Sequence, residues 1–236
     1  LLALLLSSCA SAGAKRSIDD TPSWATKDGR VEAKIELAEA LVEVARGAGL
    51  DCSARLTAMD RPLGEAVGNR LEVAEAVACL QGGGPADLRE VVLGLTDHPD
   101  AAATLASGSA FARFERMVSA QGGDPACLTP EPGSDVAVHT LVAEQDGIVT
   151  RASAYPLGIA AFELGAGRGS PDAEVDGDVG LRVKANPGDT VRCGDPLVEL
   201  VHRSGHGLAK ALECAREAYQ VGGEAPELLP LLGRTW

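Results

Sequence analysis

Two glycine-rich runs and a scatter of thiols are the residue patterns that could do chemistry most directly. Gly82-Gly83-Gly84-Pro85 could cradle a phosphate, because backbone N–H groups freed of side chains converge on an anion. A phosphate loop, however, follows a strand and continues into Gly-Lys-Ser/Thr. This run follows an apolar-periodic stretch and continues into Ala86-Asp87, so it reads as a helix stop. Gly165-Ala166-Gly167-Arg168-Gly169 could bind a dinucleotide, but it lacks the G-x-G-x-x-G spacing and a ribose-binding acid downstream. It reads as a turn that lets backbones approach closely. Cys9, Cys52, Cys79, Cys127, Cys193 and Cys214 form no C-x-x-C pair and stand at no zinc-finger distance from a histidine. They read as reduced thiols, which predicts a cytoplasmic protein.

Composition narrows the chemistry further. The 236 residues carry 21 Lys+Arg against 34 Asp+Glu, a formal charge of −13, which repels phosphate backbones and argues against nucleic acid as a partner. No run of about 18 apolar residues exists, which argues against an ordinary membrane-spanning helix. At 45% hydrophobic residues the chain can bury a core, and its length suits one large domain or two modest ones. Leu1 to Cys9, LLALLLSSC, resembles the end of a secretory leader with a bacterial lipobox, but it lacks a basic flank and its apolar stretch is short. Lipoprotein is the alternative localisation on that reading. Residues 1–30 read as an unmatched leader and linker, and the Leu1 start suggests that the true start is missing.

The elements that position any site begin at Val31. Val31, Ile35, Ala38, Leu41, Val42 and Ala45 recur at helical spacing before Gly47 and Gly49. Asp51 to Met59 reads as a short buried strand, and Pro62 and Gly64 turn the chain. Asn69 with Glu72 reads as a capping pair, ahead of apolar Leu71, Val73, Ala74, Val77, Ala78 and Leu80. Further helices are expected over Ala86–Leu95 and Ala110–Ala120, with a poorly patterned stretch between. Strand alternating with helix argues for α/β in residues 31–130. A Pro- and Gly-rich run, Gly122 to Asp135, marks a boundary near residue 130.

Residues 131–236 read as α+β and strand-rich. Val136–Val142 is a short apolar strand, and Asp146-Gly147 turns into a β-branched run ending at Ala152. Val179–Val201 holds two turns, Pro187-Gly188-Asp189 and Gly194-Asp195-Pro196, each followed by an apolar strand; a last helix spans roughly Leu208 to Val221. The pieces D-G-I-V and N-P-G-D-x-V-x-x-G-D-P-L-V-x-L resemble the half-motifs of a barrel-sandwich module, as in biotinyl and lipoyl carriers. A carrier presents a lysine at a hairpin tip, whereas Val183-Lys184-Ala185 reads as a strand end.

Taken together and in order, longer blocks are similar to the pyrimidine-nucleoside phosphorylase family. They are Leu56–Val77, Gly82–Val92 and Gly108–Pro125, then Glu144–Ala152, Glu163–Arg168 and Val179–His202, so the resemblance runs from about Lys34 to the end. It implies a partial glycosyltransferase-type α/β domain over 31–130 and the family's C-terminal, barrel-sandwich-like domain over 131–236. It also implies a homodimeric pentosyltransferase of nucleoside salvage that cleaves thymidine or uridine with phosphate, giving the base and a pentose 1-phosphate. The family's phosphate loop and base-holding Arg-Ser-Lys set have no counterpart in residues 1–33, and the segment between Gly94 and Gly108 is shortened. No catalytic or substrate-binding residue is therefore assigned, and the chain is expected to be inactive as a fragment. The alternative is a non-catalytic binding or regulatory module that pairs with full-length subunits.

One family site maps onto this portion. In some members a monovalent cation, usually potassium, is held by two backbone carbonyls and a carboxylate in the pattern L-x-x-A-x8-E, which here is Leu63, Ala66 and Glu75, plus ligands from the phosphate loop, which has no counterpart here. A hard cation suits such oxygen donors. The plainer reading of Glu75 is a solvated helix residue. No cofactor is otherwise required.

Overall fold

The computed structural model describes residues 27–128 and 135–235. The lipobox reading at Leu1–Cys9 lies outside the described residues. The first helix, α1, spans Lys27–Gly47, so it starts ahead of Val31 and takes in residues 27–30, which the sequence reading assigned to the linker. Contacts divide the chain into two compact units: one holds α1, and the other comprises Arg55–Gly167 and Glu174–Arg234.

The second unit mixes helices with small antiparallel sheets. Its first part carries β1 (Arg55–Thr57), β2 (Ala66–Val67), α2 (Asn69–Leu80), α3 (Ala86–Gly94), α4 (Ala101–Ala106) and α5 (Ser109–Ala120). The Asp51–Met59 strand shrinks to β1, and α4 fills the stretch without clear pattern. Gly82 ends α2 as the sequence implied: its φ is +90°, its N–H reaches the Cys79 carbonyl, and the Gly83 N–H reaches that of Ala78. Those crossed bonds satisfy two carbonyls the helix leaves open, and they require a residue free to be left-handed.

The rest comprises β3 (Val136–Val142), β4 (Gly147–Ala152), α6 (Ala154–Ala161), a π turn (Phe162–Ala166), β5 (Gly180–Val183), β6 (Thr190–Val191), β7 (Pro196–Arg203), α7 (Leu208–Ala218), β8 (Tyr219–Gly222) and β9 (Leu232–Thr235). The strands order as β2-β5-β7-β3, β6-β4-β8 and β1-β9. β7 runs between β5 and β3 with Leu197, Val198, Leu200 and Val201 all buried, which explains its nearly continuous apolar sequence. On α7, Ala211, Cys214, Ala215 and Ala218 form one buried stripe at spacings of three and four, packed on α6. Alanines there let the two helix backbones come close. Together with Leu157, Leu164, Leu181 and Leu200 they form one core cluster.

The two turns between β5 and β7 are built alike. Asp189 Oδ2 accepts the Asn186 N–H at 2.7 Å, and Asp195 Oδ2 accepts the Arg192 N–H at 2.8 Å. In each, the aspartate N–H returns to the carbonyl of that same residue, closing the turn from both sides.

Candidate functional site

The Pro62-Leu63-Gly64 turn delivers the chain into β2, and its backbone donors end on carboxylates. The Gly64 N–H donates to Asp87 Oδ2 at 2.9 Å, and the N–H groups of Glu65 and Ala66 donate to Glu75 Oε1 at 2.7 and 3.1 Å. Successive amides thus form an anion-binding concavity, filled by side chains from α2 and α3. Gly64 has φ +74°, and a Cβ there would fall on the Glu75 carboxylate, so glycine is what lets Glu75 lie against the turn.

Glu75 is therefore not a solvated helix residue. Burial pushes its carboxyl above the ordinary value, the two backbone N–H bonds pull it back, and the nearby charges of Glu65 and Asp87 push it up again.

The position of α2 is fixed at its start. Gly68, not Asn69, caps the helix: its N–H donates to Glu72 Oε1 at 3.0 Å, while the Asn69 amide reaches across to the Ala166 carbonyl at 3.0 Å. Gly68 is buried against the next strand, where a Cβ would stand 2.6 Å from the Val179 carbonyl. A second anchor is ionic. Arg70 Nε lies 2.6 Å from Asp178 Oδ1, and Arg203 of β7 binds Asp176 Oδ2 at 2.6 Å and Asp178 Oδ2 at 3.0 Å. Nothing in the sequence reading singled out this cluster, whose members are far apart along the chain.

Of the candidate cation pattern, Ala66 meets Glu75 directly, and Leu63 precedes Gly64, whose Cβ position falls on the Glu75 carboxylate. Ala66 opposes Arg182 across the β2–β5 ladder, yet its N–H turns away from β5 toward Glu75. In extended backbone the carbonyl of a residue points to the same side as its N–H, so the Ala66 carbonyl faces the Glu75 side. Carbonyl and carboxylate oxygens around one glycine-cleared turn are a donor set that fits a hard monovalent cation. Beside the turn lies a shallow cleft of about 300 Å³, lined in part by Arg61, Glu65, Asp87 and Asn186. Among the described residues, no group of three or more His, Cys, Asp or Glu side chains could hold a metal ion.

The other patterns take structural roles. Lys184 follows β5 at a strand end, with its Nζ 3.3 Å from Glu199 Oε2. Gly165 has φ +105°, and a Cβ on Gly167 would stand 2.6 Å from the Phe162 ring, so this run serves close approach. Among the described residues, no helix is long and apolar enough to cross a membrane.

Comparison with known proteins adds ancestry to this geometry. Residues 148–222 match the pyrimidine nucleoside phosphorylase C-terminal domain. A thymidine phosphorylase of Mycobacterium tuberculosis is 36% identical over 208 residues, 84% of this chain and 48% of that relative. The thymidine phosphorylase of Homo sapiens is 38% identical over 222 residues, 83% of this chain and 46% of the relative. A pyrimidine-nucleoside phosphorylase of Bacillus subtilis is 35% identical over 182 residues, 70% and 42% respectively. The chain spans about half the length of the curated relatives it matches.

Proposed function

Because the chain belongs to the pyrimidine-nucleoside phosphorylase family, whose C-terminal domain it carries, we propose that it contributes the C-terminal scaffold of a pentosyltransferase acting on thymidine or uridine. The observation that supports this most is the similarity to thymidine phosphorylases along 84% of the chain. In that reaction a phosphate oxygen bonds to the anomeric carbon as the C–N bond breaks, and the pyrimidine departs with the electron pair. The sugar passes through an oxocarbenium-like state, so the site must neutralise both the phosphate and the leaving base.

In this proposal Leu63 and Ala66, through their carbonyls, and Glu75, through its carboxylate, hold a potassium ion. The ion supplies a fixed positive charge that offsets the carboxylates and fastens the turn to α2. Residues 31–130 form part of the α/β domain. Residues 131–236 form the C-terminal domain, and β3, β5 and β7 of the four-stranded sheet, with the three-stranded sheet and one core cluster, support a barrel-sandwich-like arrangement for it. Phosphate and pyrimidine nucleoside are substrates of the complete, homodimeric enzyme, and these 236 residues alone do not turn them over. Residues 1–33 carry no match to the phosphate loop or to the Arg-Ser-Lys set that hold the two reactants in the family.

The test has two arms. The purified chain should release no thymine from thymidine and phosphate. A chimera in which residues 34–236 replace the matching portion of the Mycobacterium tuberculosis relative should release it. A folded, inactive chimera would count against the enzymatic scaffold and favour a non-catalytic module that pairs with full-length subunits.

A further inference from the structure

We propose that Asp87 is a positioning residue for the cation turn, orienting the Leu63 carbonyl by holding the amide on the other end of the same peptide group. This inference rests on the cation reading above. The peptide unit between Leu63 and Gly64 is planar and trans, so its carbonyl and its N–H point in opposite directions. Asp87 Oδ2 accepts that N–H at 2.9 Å. Once the N–H is held there, the Leu63 carbonyl is directed to the opposite side of the turn, and neither end can rotate without the other.

Asp87 is itself held firmly. Its other oxygen accepts the Leu88 N–H at 2.8 Å, and it sits in the first turn of α3. The α2–α3 connection is closed by the Gly82 and Gly83 bonds, and Arg89 Nη1 donates to the Gly82 carbonyl at 3.1 Å. The carboxylate therefore approaches the turn from a fixed base.

The same logic places the second carbonyl by another route. The Val183 N–H donates to the Glu65 carbonyl at 2.7 Å, so alternation along the antiparallel ladder makes Val67–Leu181 the next hydrogen-bonded pair. The Val67 N–H then points into β5 and the Ala66 carbonyl points away. The ladder orients one carbonyl ligand and Asp87 orients the other. Glu75 completes the set from α2.

The experiment follows the thermal unfolding midpoint of the 236-residue chain as potassium chloride replaces choline chloride at constant ionic strength. A ligand that binds only the folded state raises the midpoint, and the half-saturating concentration reports its affinity. Wild type should show a potassium-specific rise, and Glu75→Gln should lose it. Asp87→Ala should raise the half-saturating potassium concentration by about tenfold or more, as outer partners of metal ligands do. Asp87→Asn keeps an acceptor oxygen and should shift it less, and Asp97→Asn, an exposed charge loss elsewhere, should leave it unchanged.

If Asp87→Ala lowers the midpoint but leaves half-saturation at the wild-type value, Asp87 is merely structural and the proposal falls. If Asp87→Asn weakens potassium as much as Asp87→Ala does, charge rather than orientation is responsible, and positioning is overturned. No potassium-specific rise in wild type would instead remove the cation reading itself, and this inference with it.

Discussion

At Gly64, backbone conformation and side-chain chemistry make one demand between them. The φ of +74° disfavours any L side chain, and the space where a Cβ would go is taken by the Glu75 carboxylate. Gly64→Ala should therefore cost about 1–3 kcal/mol of stability, the range for a residue held in a sparsely populated conformation. A urea unfolding curve with unchanged slope and a lowered midpoint is the expected outcome; an unchanged midpoint would show that the turn adapts at no cost. The ionic anchor of α2 predicts a pH signature. Asp176 is held below the usual carboxylate range, first by the hydrogen bond from Arg203 and then by charge and backbone contacts. A carboxyl whose folded pKa is lowered stabilises the fold above its unfolded value, and that contribution is lost as pH falls through the folded value. Arg203→Met should thus lower the urea midpoint clearly at pH 7, with the gap from wild type closing below about pH 4, near the unperturbed carboxylate value. A gap that stays constant through that range would mean that the ion pair is not what holds α2.

Between elements, Tyr219 couples the strand after α7 to the connection between β5 and β7. Its buried hydroxyl lies 3.1 Å from the Ala185 carbonyl and 2.9 Å from that of Leu197, both of which it can serve as donor. Tyr219→Phe leaves two carbonyls without that donor and should cost about 1 kcal/mol, typical of one net hydrogen bond. It should also speed amide exchange at Lys184 and Ala185, whose N–H groups both reach the Leu197 carbonyl, and exchange unchanged at those two amides would refute the coupling. Helices with an apolar stripe are legible in the sequence: α2, α3, α5 and α7 lie close to where spacing puts them, and β3 spans the apolar run Val136–Val142. α6 was missed because its residues are apolar on nearly every side and it contains Pro156, so burial erases the period that would have revealed it. By spacing alone the apolar stripe of α7 runs on through Tyr219–Val221 as the end of a helix; pairing with β4, a long-range contact, makes this segment a strand instead. The candidate site was legible only in part for the same kind of reason. Leu63, Ala66 and Glu75 lie within one short stretch that resembles a family pattern. Asp87 is 23 residues from its Gly64 partner and, in sequence, looks like any acidic residue in the first turn of a helix.

Across the whole molecule, burial is unevenly distributed. The largest fully buried side chains, from Val149 to Val201, lie in β4, β5, β7, α6 and the π turn, except Val179, which directly precedes β5. α5, by contrast, is strongly amphipathic yet has no fully buried residue, and among the residues of α1 whose side chains are described only Ala38 and Val42 are buried. Local opening costs least where few apolar contacts must be broken, so segments should open at free energies that follow this gradient. Native-state hydrogen exchange is the measurement. Amides of β5, β7, α6 and α7 should exchange last, and their exchange should respond to denaturant with the slope of global unfolding. Amides of α1 and α5 should exchange much earlier with little denaturant dependence, because they open without unfolding the core. If α5 shared the slope and the opening free energy of β7, the molecule would be one cooperative unit, and the uneven burial would carry no energetic meaning. The expected outcome has a functional consequence. The turn of Leu63 to Ala66 is fastened on one side to β5, within the stable core, and on the other to α2 and α3, which lie toward the weaker end. A cation bound there would draw on both, so potassium should slow exchange in α2 and α3 more than in β7. Equal protection in all three would place its effect outside the turn.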